Sequence, residues 1–151
     1  MLKINKKVEY ALIALKLMLE KDQGELTTAR EVSDKFHTPF DTTAKVMQMM
    51  NSARMLESVK GVKGGYYLSC DLSNVSYMDL AEMIEGKSLS IDCETVKCSL
   101  LGSCNISGPI KKLDQYLNVF FRDLSVKELL LEDNSIDLSA RVLRKETQHE
   151  L

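Results

Sequence analysis

The chain has 151 residues, 44% of them hydrophobic and 28% charged, with a formal net charge of -2. These proportions exclude a disordered or fibrous chain and allow one modest core, with or without an oligomerisation element. The slight acidity argues against a generally basic nucleic-acid binder, although local patches decide docking on phosphate. No apolar run reaches the roughly 18 residues of a membrane span, and the N-terminal stretch carries Lys16 and Glu20 around its apolar centre. It reads as an amphipathic helix and not as a signal. The expected location is therefore the cytoplasm, where four cysteines point to metal or redox chemistry before disulfides.

From Lys6 to Glu20, Val8, Ala11, Leu12, Leu15, Met18 and Leu19 recur in steps of three and four, the pattern of one helical face. Glu9 and Lys16 fall on the opposite face. Thr28 and Glu31 form a capping-box pattern that opens a short second helix through Ala29, Val32 and Phe36, ending near His37. Thr38-Pro39-Phe40-Asp41 then predicts a third helix, with Thr38 as N-cap and Pro39 in the first turn. Its methionines, Met47, Met49 and Met50, and Met55 beyond them, read as adaptable core filling and not as metal ligands. LESVKGVKGGYYLS sets β-branched and aromatic residues on both sides of Gly61 and Gly64-Gly65, a two-stranded hairpin with a basic tip. Three helices followed by such a wing make a winged helix-turn-helix. SYMDLAEMIEG predicts a fourth helix that stops at Gly86.

Between Cys93 and Gly108 periodicity fades, and the order of this loop must come from something it binds. After Pro109, Ile110, Leu113, Leu117, Phe120 and Leu124 alternate by three and four, a narrow a/d seam that calls for another helix. Its own copy across a two-fold axis is the simplest partner. Ser125 and Glu128 cap a short final helix. The expected fold is mainly α with a small β-hairpin wing. Its expected divisions are a winged helix-turn-helix over 1–86, a cysteine-bearing loop over 87–108, a pairing helix with a short final helix over 109–131, and a partly mobile tail over 132–151.

The chemistry lies in the spacing of Cys93, Cys98 and Cys104, with four residues in the first gap and five in the second. Such a loop can wrap three thiolates around one face of an iron-sulfur cubane or around two irons, and leaves the ligand set one short. Zinc is the competing metal, but it favours shorter gaps within a pair and a closed set of four ligands. No histidine lies near the loop; His37 precedes the third helix and His149 is in the tail. Cys70, at the end of the wing, is not counted as a ligand.

The order of helices, the wing VKGVKGGYYLS, the segment SYMDLAEMIEG, the three-cysteine loop and the long helix after it resembles the IscR and NsrR family of iron-sulfur transcription regulators over nearly the whole chain. The four-then-five spacing, IEGKSLSIDC and LSVKELLLEDN look more like the nitric-oxide-sensing NsrR branch than like IscR. IscR-type members have a first gap one residue longer and a histidine three residues after the third cysteine. Ser107 stands there in this chain, so a histidine ligand of that type is out of play. The resemblance implies a fourth ligand from a carboxylate early in the first helix of the other subunit, and the matching motif VEYAL gives Glu9 that role. A 4Fe-4S cluster is the expected cofactor, with 2Fe-2S as the alternative.

For DNA, the resemblance and the expected fold direct attention to the same residues. Asp41, Thr42, Thr43 and Lys45 should face the major groove, and Lys60 and Lys63 on the wing should meet phosphates or the minor groove. The resulting expectation is a homodimeric, non-membrane transcription regulator, acting as a repressor on a double-stranded operator and sensing nitric oxide, redox or iron status. Two alternatives stand beside it: a small iron-sulfur electron carrier, and a cluster-free regulator whose cysteines form a thiol switch. GVKGGYY sits in a hairpin and not between strand and helix, so it does not suggest a nucleotide site or an enzyme.

Overall fold

A computed structural model of the chain describes residues 3–86, 98–100 and 102–131; Cys93 and residues 132–151 lie outside the described residues. The elements run α1 (Lys6–Glu20), α2 (Ala29–Phe36), α3 (Phe40–Ser52), β1 (Leu56–Val59), β2 (Gly65–Leu68), a 3-10 turn (Leu72–Asn74), α4 (Tyr77–Glu85), α5 (Ser107–Asp123) and α6 (Val126–Leu130). Local chemistry accounts for most of the boundaries. The side chains of Asn5, Thr28, Ser76 and Ser125 each accept a hydrogen bond from a backbone N–H of the first turn that follows. At α4 the cap is reciprocal, because Asp79 accepts from the Ser76 N–H while Ser76 accepts from the Asp79 N–H.

The core gathers Val8, Leu15, Val32, Val46, Met47, Met50, Leu56, Leu72, Leu80 and Val126. Two methionines of α3 and Met55 are buried there, as the helical spacing predicted. Leu19, expected on the core face of α1, is exposed, while Ala14 and Leu17 take core places. Val126 shows that the final helix returns to the core of the N-terminal unit. The return is fastened by the Tyr77 N–H donating to the Leu124 carbonyl at 2.8 Å and the Val126 N–H donating to Val75 at 2.8 Å.

The helix-turn-helix is set by the turn between α2 and α3. His37 ends α2 in the left-handed region at φ 55°, and α3 begins after Pro39, so Thr38 is not its N-cap. Thr38 serves the turn instead: the Ser33 hydroxyl donates to its carbonyl at 2.7 Å, and its hydroxyl lies 2.7 Å from that of Thr43. At its far end α3 closes in a Schellman arrangement, with the Met55 N–H donating to Met50 O and the Arg54 N–H donating to Asn51 O, and Arg54 left-handed at φ 60°.

β1 and β2 pair antiparallel from Leu56 opposite Leu68 to Val59 opposite Gly65. Thr27 adds a short bridge to Tyr66, which ties the wing to the segment leading into α2. The tip needs glycine at two places. Gly61 takes φ 117°, and a Cβ on Gly64 would strike the Val59 carbonyl oxygen.

Candidate functional site

The exposed start of α3 and the N-terminus of α1 share one groove, of about 280 Å³, lined by Lys7, Asp41, Thr42, Lys45, Val46 and Met49. Three of the residues expected to face DNA, Asp41, Thr42 and Lys45, are therefore together. Asp41 and Lys45 are exposed and Thr42 is half-buried. Thr43 does not join them. It is 1% exposed, its hydroxyl donates to the Pro39 carbonyl at 2.8 Å, and it receives Thr38. Turning back into the helix-turn-helix core, it braces the turn and cannot reach a base. Two residues on the open side went unnoticed in the sequence. Gln48 is exposed three residues past Lys45, hence on the same helical face, and Lys7 brings a cation from α1. The i, i+4, i+7 series Asp41, Lys45, Gln48 was the available signal.

β1 packs against α3, and its hairpin ends in Lys60-Gly61-Val62-Lys63, with all four residues exposed. Arg30 on α2 sets its guanidinium 4.0 Å over the Phe40 ring, which fixes the first residue of α3 against α2. The acidic whole chain thus presents a mixed but cation-bearing surface at α1, α3 and the wing.

None of the described thiols lines the groove between α1 and α3. Cys98 is exposed and Cys104 half-buried, both free, in the segment leading to α5; Cys93 lies outside the described residues. Cys70 is half-buried at the end of the wing, and burial, aided by the neighbouring Asp71 charge, pushes its thiol up. It stays neutral in the folded chain while an unfolded thiol ionises, so this group disfavours folding as pH rises through the ordinary thiol range. Glu9 is half-exposed on α1 and already engaged: the Lys6 ammonium donates to it at 2.7 Å. That hydrogen bond, and then the charge of Glu9, holds Lys6 above its ordinary value. Exposed pairs of this kind are screened by solvent and contribute little, so Glu9 is not committed to Lys6. Among the described residues no three His, Cys, Asp or Glu side chains come together as a metal site. The donor types nevertheless suit iron: two unpaired thiols lie in a segment with no core role, six residues apart in sequence.

α5 begins at Ser107, three residues after Cys104 and two before Pro109, which its first turn tolerates. Its seventeen residues include none that is buried. Tyr77 meets Phe121 with ring centroids 5.1 Å apart, and Arg122 reaches Asp79 at 3.5 Å and Glu82 at 3.2 Å, so the C-terminal half is held on α4. Large apolar residues are left outside: Leu113 at 49%, Tyr116 at 59% and Val119 at 48% exposure, with Ile106 just ahead of the helix. Of the expected seam, Leu113 is on this open face, and Ile110, Leu117 and Phe120 are half-buried. Leu124 leaves the seam, because the helix ends at Asp123 and Leu124 packs on its own core, bonded to Tyr77.

The chain matches the Rrf2 family, described as iron-dependent transcriptional regulators, over residues 4–132. It belongs to that family. Curated relatives include the HTH-type transcriptional regulator NsrR of Shouchella clausii (strain KSM-K16), 24% identical over 144 residues that cover 93% of this chain and 95% of the relative. Similar solved structures include CymR (YrzC), the global cysteine regulator of B. subtilis, at TM-score 0.68 and 16% identity over 86% of this chain and 97% of that one. The oxidized form of Staphylococcus aureus CymR aligns at 0.66 and 16% over 89% and 100%, and T. potens IscR at 0.64 and 16% over 93% and 96%. At such identities the structures speak for the fold, a mainly helical winged helix-turn-helix with a two-stranded hairpin. Rrf2 members are DNA-binding transcription regulators and not enzymes, which sets aside the electron-carrier alternative. None of the described helices is long and apolar enough to cross a membrane.

Proposed function

We propose that this Rrf2 chain is a homodimeric repressor that reads a roughly palindromic operator through α3 and the wing, and whose grip on DNA is set by an iron-sulfur cluster. Cys93, Cys98 and Cys104 would hold the cluster, with Glu9 of the partner subunit as fourth ligand. The observation that carries this reading is α5. A helix of seventeen residues with no buried position and an open apolar face calls for a covering surface, for which a second copy is the simplest candidate, and its N-terminus follows Cys104 by three residues. Thiol chemistry and dimer geometry are thus joined by a very short tether.

The chain's own residues have distinct tasks. Leu113, Tyr116 and Val119 pair the subunits and set the distance between the two α3 helices. Asp41, Thr42, Lys45 and Gln48 offer groups to base edges, while Lys7, Lys60 and Lys63 meet phosphates. Glu9 would exchange its Lys6 partner for a ligand role, at little cost because that ion pair is exposed. When bound, an iron-sulfur cluster would supply metal-thiolate bonds to Cys93, Cys98 and Cys104 that would hold the loop in one conformation, with the Glu9 carboxylate as its weakest ligand and nitric oxide or oxygen as the signal. The family's iron-dependent description and the NsrR relative support this choice of cofactor and signal.

Anaerobic purification with iron and sulfide counts tests the cofactor. The expected result is stoichiometric iron and sulfide in the wild type, and loss of both by at least tenfold in Cys104→Ser. A chain free of iron and sulfide under these conditions contradicts it. That outcome would favour the second reading, a cluster-free thiol switch, which draws support from the exposed Cys98 and from the similarity to a CymR solved in an oxidized form.

A further inference from the structure

The wing tip carries one apolar residue that none of the described residues covers. Val62 is fully exposed, flanked by Lys60-Gly61 on one side and Lys63-Gly64 on the other. The tip is not free to fold it away. The Gly64 N–H donates to the Gly61 carbonyl at 3.0 Å, closing the turn, Gly61 holds φ 117°, and the Gly64 backbone sits where no side chain fits beside the Val59 carbonyl. A β-branched apolar side chain is therefore held outward between two cations, with its burial energy unused.

We infer that Val62 is a minor-groove wedge that makes the wing select A·T over G·C pairs. This deepens the DNA-binding reading above and rests on it. The argument concerns shape and charge. Lys60 and Lys63 suit the phosphate rims of a groove, while a compact apolar group between them suits its sugar walls and floor. In the minor groove A·T pairs present only acceptors on the floor, whereas G·C adds the projecting guanine amine. Valine has no acceptor to satisfy that amine, and its branched Cβ fills the space the amine occupies. A·T-rich steps also narrow the groove, which improves both wall contact and the attraction of the lysines. The selection then comes from exclusion at the floor and not from hydrogen bonding.

The test uses the full-length dimer and duplexes enriched from a random pool by the wild-type protein. At the positions under the wing, A·T pairs are replaced by G·C and by inosine·cytosine, which keeps a G·C-like major groove but lacks the minor-groove amine. The wedge predicts a fivefold or greater loss of affinity with G·C and recovery to within twofold of A·T with inosine·cytosine. Val62→Ser should reduce the A·T to G·C ratio below twofold with an unchanged thermal midpoint, since the tip contributes nothing to the core. Lys63→Ala should keep the ratio while lowering the slope of log affinity against log salt by about one. Full discrimination retained by Val62→Ser, or inosine·cytosine binding as poorly as G·C, overturns the wedge alone. Failure of the wild type to enrich any duplex overturns the DNA reading with it.

Discussion

Adjacent threonines in α3 have opposite fates. Thr42 is half-exposed in the groove with Lys7 and Lys45, while Thr43 is buried and bonded to Thr38 and Pro39. Thr43→Val would leave the buried Thr38 hydroxyl without its partner and should cost about 1–2 kcal/mol, read by denaturant unfolding. Base preference should be unchanged. Thr42→Ala should leave stability within about 0.5 kcal/mol and weaken operator binding severalfold, read by titration. The sequence could not separate the two, because residue type and nearness to the helix start are alike. What separates them is the turn at His37, whose left-handed backbone sets the rotation of α3 about its axis. Glu9 was legible as a residue off the core face, but not its pairing with Lys6, since a glutamate three residues from a lysine is common on any helix.

At the scale of elements, the caps were the most legible features because they act within one turn. Thr28 with Glu31 and Ser125 with Glu128 stand where the sequence puts them, and the structure adds the reciprocal Ser76–Asp79 cap. The C-terminus of α3 was not legible, since a non-glycine residue, Arg54, occupies the left-handed position of its Schellman motif. Arg54→Gly should therefore raise stability by about 0.5–1 kcal/mol, seen as a higher melting temperature. Part of the expected seam turns inward: Leu124 packs on the subunit's own core, and Ile110, Leu117 and Phe120 are half-buried. The helix ends at Asp123, so Leu124 falls outside the helical repeat, and its carbonyl accepts from the Tyr77 N–H. The open face instead runs through Leu113, Tyr116 and Val119. Replacing Tyr116 by Asp should shift the protein from dimer to monomer in sedimentation while its melting remains cooperative, because Tyr116 takes no part in the core. A dimer that persists would remove α5 from the interface.

Over the whole molecule, the parts meet at two junctions. One is the return of α6, whose Val126 fills the core of the DNA-binding unit, so that α5 is anchored at its C-terminal end and on α4. The other is the short step from Cys104 to α5, through which a change in the thiol loop reaches the proposed dimer axis. Helix order, wing and thiol spacing were legible because each is local in sequence. The proposed second copy rests on the open apolar face of α5. The most direct test is an anaerobic gel shift of the operator with cluster-loaded and cluster-free protein at equal dimer concentration. The account predicts at least tenfold tighter binding by the loaded form, lost when nitric oxide is added. Equal affinity of the two forms would contradict it.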